Sequence, residues 1–261
     1  LPVCAYLIVS YSKYIQAPQP PKGVVMIFFH LISTKSSPFR ERRGYLYTMP
    51  LYQEWSSDAY SLAAIWKIEE PESFFTERTG LPAPDIKAEK RRLERLAGRF
   101  LLKHLKEDFP LLNIHPDEHD KPRIDDNQYY FSISHSWPYV AVVISPYVEC
   151  GIDIQCWHPR MEALQHKFLS APEQALINND TKLITLAWSA KEAAYKWQGR
   201  RGVEYADHML IQKLEKTEDI FNINIFMHLT VPQRQINAQG IVKQDFACAF
   251  IVHDEVFHPF Q

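Results

Sequence analysis

Gly151-Ile152-Asp153-Ile154-Gln155 and, further on, Trp188-Ser189-Ala190-Lys191-Glu192-Ala193-Ala194-Tyr195-Lys196 are the stretches whose reading decides the fold. The first is an apolar strand. Alternation sends Ile152 and Ile154 to one face and Asp153 and Gln155 to the other. The second lies inside a long helix over residues 182–197. There Leu183, Ala187, Ala190, Ala194 and Trp197 form an apolar stripe, and Ser189, Glu192 and Lys196 share another face. Asn179 or Asp180 caps the start of that helix and Gly199 its end.

Working outward, helical patterns precede this helix at residues 161–169 and 172–179. Strands follow it at 208–214, 220–230 and 244–252. The first half has a similar content. A strand is expected at 62–68 and a short proline-led helix at 71–78. An amphipathic helix follows at 87–106, with Leu93, Leu96, Ala97, Phe100 and Leu101 at helical spacing. A hairpin of strands 129–134 and 139–145 turns at Trp137-Pro138, after a loop-rich region at 109–128. The expected fold is α+β, and strands plus one long helix in each half permit two similar (pseudo-twofold) lobes. Each lobe is a small, mostly antiparallel sheet packed on a long helix. The N-terminal lobe is placed at residues 49–148 and the C-terminal lobe at 149–261. Residues 1–48, with a Pro-rich stretch at 17–22 and a basic stretch at 39–43, read as a poorly ordered leader or mis-assigned upstream segment.

The 261 residues are 46% hydrophobic and carry a formal charge of −2. That composition is globular and argues against a general nucleic-acid binder. The apolar run at 24–32 is too short to span a membrane. Four scattered cysteines, Cys4, Cys150, Cys156 and Cys248, suit reduced thiols in a cytoplasm rather than a disulfide framework or a zinc site.

Several side chains admit two readings. Asp153 and Gln155 are either a solvated polar face or oxygen donors of the kind Mg²⁺ prefers. Glu192 and Lys196 are either an i,i+4 surface pair worth about 0.3 kcal/mol or, with Lys191, a carboxylate between cations suited to a metal–diphosphate site. His135 is either structural or an anion contact at a strand end. Arg91, Arg95 and Arg99, spaced by four, are either a solvated stripe or forked phosphate donors.

Taken in order, Lys121-Pro122, residues 131–136 (Phe-Ser-Ile-Ser-His-Ser), 151–155, Lys167-Phe168-Leu169, 188–196 and 199–202 resemble the 4′-phosphopantetheinyl transferase superfamily. The basic stretch at 90–99 also matches. The resemblance is to the large, two-lobed, surfactin-synthetase-type branch, and it runs from about Met49 to the end of the chain.

The resemblance implies Mg²⁺-dependent transfer of phosphopantetheine from coenzyme A to a serine of an acyl or peptidyl carrier protein. Adenosine 3′,5′-bisphosphate is released. Asp153 and Glu192 would hold the metal, with Gln155 a weak or water-mediated third donor. Lys196 would act at the leaving phosphate and Lys191 at the diphosphate. Arg91, Arg99, Lys121, Ser134 and His135 would bind the nucleotide end. Glu192 would also help to deprotonate the acceptor serine. Phe168 and Leu169 would meet the carrier protein. The enzyme is expected to be a cytoplasmic monomer without nucleic-acid or membrane partners. The alternative is a catalytically silent module that binds coenzyme A or a carrier protein, a reading that rests on Gln155 standing where many bacterial members have an acid. Gln155→Glu is expected to tighten Mg²⁺ binding, since a carboxylate binds this hard cation better than a neutral amide. An unchanged Mg²⁺ dependence of the rate would contradict that.

Overall fold

The computed structural model of the chain describes residues 51–56, 60–125, 128–228 and 233–252. The expectation for residues 1–48 therefore falls outside the described residues.

Two antiparallel sheets and two long helices make the framework. The first sheet contains β1 (Leu51–Ser56), β2 (Leu62–Lys67), β5 (Tyr130–Ser136) and β6 (Tyr139–Ser145), in the order β1-β2-β6-β5. The second contains β7 (Cys150–Cys156), β8 (Met209–Thr217), β9 (Ile220–Met227), β10 (Arg234–Val242) and β11 (Phe246–Val252), in the order β7-β11-β10-β9-β8. A two-residue pair, β3 (His115–Pro116) with β4 (Pro122–Arg123), forms a small hairpin. The helices are α1 (Glu72–Thr79), α2 (Glu89–Leu105), α3 (Arg160–Leu164), α4 (Ala171–Ile177), α5 (Thr181–Gln198) and α6 (Tyr205–His208).

The layers follow from strand alternation. Ala64, Trp66, Val140, Val142 and Ile144 face α2, where they meet Leu93, Ala97, Phe100 and Leu101. Ala63, Ile65, Ala141 and Val143 face the opposite way and pack on Ile152, Ile154, Phe246, Cys248 and Phe250 of the second sheet. Ala247, Ala249 and Ile251 turn to the far side and pack on α5. The order is therefore helix, sheet, sheet, helix. Strands β6 and β11 are covered on both faces, which is why Tyr139–Ser145 and Phe246–Val252 are nearly unbroken apolar runs.

The sheets also meet along a polar line. Ser132, Ser134 and Ser136 lie on one face of β5. Their hydroxyls accept from the outward N–H groups of Ile152, Ile154 and Cys156 at 3.2, 3.3 and 3.0 Å. The free edge of β7 is thus satisfied by seryl oxygens, which both protects the edge and locks the register between the sheets.

The elements around the candidate site form where the pattern places them. Asp180 caps α5 by accepting from the Lys182 and Leu183 amides, and Gly199 ends the helix at φ 72°. Other elements differ from expectation. The region expected at 161–169 divides into α3 and a 3₁₀ turn at Gln165–Lys167. Strands β1 and β10 are additional to those expected. The second of these hides in Arg234–Val242, whose Gln and Asn residues and Gly240 mask a strand pattern.

Helix α5 crosses β7 at backbone distance. A Cβ at Gly151 would overlap the Ala193 carbonyl oxygen and lie 2.8 Å from the Trp197 nitrogen. Both obstacles are backbone and cannot turn aside. Gly151→Ala is expected to cost about 3 kcal/mol, the upper end of overpacking penalties, read as a lower urea midpoint with an unchanged slope.

Candidate active site

The approach of α5 to β7 places Asp153 against the C-terminal half of the helix. Asp153 is buried. Its Oδ1 accepts from the Lys196 ammonium at 2.7 Å and from the Ser134 hydroxyl at 2.7 Å. The Lys196 ammonium also donates to the Ile152 carbonyl at 3.1 Å. Asp153 Oδ2 is buried without a hydrogen-bond partner, a state that costs about 1–3 kcal/mol when nothing compensates it.

Glu192 stands one turn before Lys196 on α5. The Tyr205 hydroxyl donates to its Oε1 at 2.8 Å. Burial raises the Glu192 carboxyl above the usual carboxylate range, and the negative charge of Asp153 pushes it the same way. The Tyr205 hydrogen bond and the Lys196 charge oppose the rise. The Tyr205 phenol is itself raised, first by burial and then by the Glu192 charge. Two carboxylates thus repel each other across one ammonium.

This arrangement fits a divalent cation. It offers two carboxylates that feel each other's charge and an orphaned buried oxygen, in a place with fewer cations than acids. Gln155 completes the polar face of β7, but its amide nitrogen donates to the Cys156 carbonyl at 3.1 Å. Among the described residues, no group of three His, Cys, Asp or Glu side chains forms a metal site. The candidate pair is two acids with a neutral third position.

Other expected site residues lie elsewhere. Lys191 does not face this cluster. It is fully buried, paired with Glu173 Oε1 at 2.6 Å, and donates to the carbonyls of Phe168 and Tyr205 at 2.7 and 3.0 Å. A side chain one position from Glu192 points about 100° away around the helix, which here means into the core, so a diphosphate contact by Lys191 is corrected to a structural one. Phe168 and Leu169 are likewise core residues, 3% and 1% exposed, and Phe168 packs edge-on against Trp188. Neither can form a docking surface.

Lys121 is nearly buried. It donates to Glu149 Oε2 at 2.9 Å and to the Trp197 carbonyl at the end of α5 at 3.2 Å. A cation there complements the negative end of the helix. Arg123 also pairs with Glu149, so this cluster ties the β3–β4 hairpin to α5.

Ser134 and His135 part at β5. Ser134 faces Asp153, while His135 turns toward α2, where its Nδ1 lies 3.2 Å from Glu94 Oε2. Arg91 shares the exposed side of α2 with Arg95. Arg99 is half-buried, and burial together with Arg95 lowers its pKa to about 10. The structure therefore brings together Asp153, Ser134, Glu192 and Lys196, and sets His135 and the arginines on the other face of β5.

Three residues of the site region escape sequence reasoning. Tyr205 follows the glycine-bearing turn after α5, a position with no motif to mark it. Glu173 was legible in part, since Ser170-Ala171-Pro172-Glu173 is a capping-box spacing. Its Oε2 indeed accepts from the Ser170 amide and hydroxyl, both at 2.7 Å. Glu149, which holds Lys121 and Arg123, carries no local signal.

Compared with known families, residues 149–251 match the model of the 4′-phosphopantetheinyl transferase superfamily. The match runs from the approach to β7 almost to the end of β11. It contains Asp153, Glu192 and Lys196, and it supports phosphopantetheine transfer as the general class of activity. No curated protein matches the chain. No helix among the described residues is long and apolar enough to cross a membrane.

The raised Glu192 carboxyl has a consequence for stability. The native state keeps this proton at pH values where the unfolded chain has lost it. Metal-free stability therefore falls as pH rises from about 4.3, the ordinary glutamate value, through the native one. Glu192→Gln removes that loss. It is expected to melt above the parent chain at pH 7, with the two converging below about pH 4, the protonated range. Thermal melts across this pH range in chelator check it.

Proposed function

We propose that the chain transfers the 4′-phosphopantetheine group of coenzyme A to a serine of an acyl or peptidyl carrier protein, with Mg²⁺, and releases adenosine 3′,5′-bisphosphate. The observation that carries this reading is the meeting of Asp153, Glu192 and Lys196 at the β7–α5 contact, with one buried carboxylate oxygen left without a donor.

Asp153 and Glu192 would hold the ion, and Gln155 would contribute at most through water. When bound, the ion neutralises negative charge on the diphosphate. Glu192 has a raised pKa for two stated causes, burial and Asp153. Glu192 would also receive the proton of the attacking serine hydroxyl. Lys196 would neutralise the phosphate that departs as the serine oxygen–phosphorus bond forms and the diphosphate P–O bond breaks. The Lys196 side chain is 26% exposed, so it is not sealed from solvent. Ser134 holds Asp153 Oδ1 in place. Phosphoryl transfer asks little more of a protein than positioning and charge.

Arg91, Arg99 and His135 remain the proposed contacts to the nucleotide end. Arg99 is the best prepared of them, since its guanidinium is already partly desolvated and a phosphate would compensate that. Lys121 would have to leave Glu149 to take part. Because both acids come from one chain, the enzyme is proposed to act as a monomer, in the cytoplasm.

The test is incubation with coenzyme A, Mg²⁺ and a panel of apo carrier proteins, followed by intact mass. A gain of one phosphopantetheine is expected, with turnover by Glu192→Ala lower by at least about 10²-fold, as for loss of a general base. Binding of coenzyme A without any mass gain across the panel would favour the silent module suggested by Gln155.

A further inference from the structure

Lys191 and Glu173 form a buried ion pair that is complete in its hydrogen bonding. Glu173 Oε1 receives Lys191 and the Ile211 amide at 2.6 and 2.8 Å, and Oε2 receives both groups of Ser170. Lys191 spends its remaining donors on two backbone carbonyls, Phe168 and Tyr205. A pair of this kind is a poor source of stability, because the desolvation it requires offsets the attraction. What it does provide is location. Five segments, namely the loop at 168, α4, α5, α6 and β8, meet on two side chains.

One of those segments ends at the candidate metal site. Lys191 grips the backbone oxygen of Tyr205, and the hydroxyl of the same Tyr205 donates to Glu192 Oε1. The ring between them is fixed by Trp188 and Tyr195, with centroids 5.6 and 5.8 Å away. Adjacent residues of α5 therefore face different ways and meet again through Tyr205. Glu192 Oε1 is occupied by the phenol, while Oε2 carries no hydrogen bond among the described residues.

We infer that Tyr205 is a positioning residue for Glu192, held by the Lys191–Glu173 pair, and that it sets which carboxylate oxygen is presented beside Asp153 to a divalent cation. The inference rests on the metal reading of the site given above. Its chemistry is that of hydrogen-bonded carboxylate ligands generally, whose outer partners are typically worth about 10- to 100-fold in metal affinity.

The experiment is Mn²⁺ binding to the full chain by electron paramagnetic resonance, with coenzyme A present. Tyr205→Phe removes only the hydroxyl and keeps the ring stack, so it is expected to fold. It should bind Mn²⁺ about 10-fold or more weakly, with kcat recovered at high Mn²⁺ and KM for coenzyme A little changed. Lys191→Met should weaken Mn²⁺ binding in the same way. The double variant should be no weaker than Tyr205→Phe alone, because both act along one path. Mn²⁺ affinity of Tyr205→Phe within about twofold of the parent, well below the loss expected of an outer partner, overturns the inference while leaving the metal site standing. Absence of Mn²⁺ binding by the parent chain overturns the metal reading itself.

Discussion

Helix α5 can lie on strand β7 only because residue 151 has no side chain. The strand backbone and the helix backbone touch at Gly151, Ala193 and Trp197, and every charged contact of the candidate site follows from that spacing. Two residues along the strand, Asp153 comes within hydrogen-bond reach of Lys196, one helical turn beyond Glu192. With a larger residue at 151, the helix would stand off and a short lysine-to-aspartate bond would not span the gap. The site is therefore a product of close packing as much as of its own charged groups.

The same closeness makes electrostatics strict. Asp153 is desolvated and must be held by Ser134 and Lys196. Ser134 can do so because it belongs to the seryl line that seals the β7 edge, accepting from Ile154 and donating to Asp153. One hydroxyl thus joins the packing of the two sheets to the candidate site. The lysines divide the labour. Lys196 serves Asp153, Lys191 serves the core pair with Glu173, and Lys121 closes the end of α5 against the β3–β4 hairpin. The three cations have different partners because α5 turns Lys191 and Lys196 in different directions and Lys121 reaches the end of the helix from the β3–β4 hairpin.

Much of the framework was legible from residue order. The alternation in β7, the stripe and both caps of α5, the α2 period and the β5–β6 hairpin are local patterns, and local sterics and burial decide them. The faces that carry Asp153, Glu192 and Lys196 were legible for the same reason, since a strand of period two and a helix of period 3.6 orient them predictably, whereas their joint role came from the family resemblance. Lys191 was misread because a lysine adjacent to a functional glutamate looks like a functional lysine, and only the buried acid of another helix shows where it goes. Phe168 and Leu169 were misread because an exposed apolar pair and a core apolar pair have the same sequence. Tyr205 was missed because nothing local links it to Glu192.

By itself, then, the chain's residue order determined an α+β fold of sheets on long helices, set Asp153 on the polar face of its strand, and set Glu192 and Lys196 on one face of their helix. These properties depend on neighbours within a few residues, where backbone geometry limits the choices. Only the tertiary structure decided which charges are shared, which are buried, and that one tyrosine joins the core ion pair to Glu192. Those outcomes depend on which distant segments come within about 3 Å, the range of a hydrogen bond, and no local period encodes that.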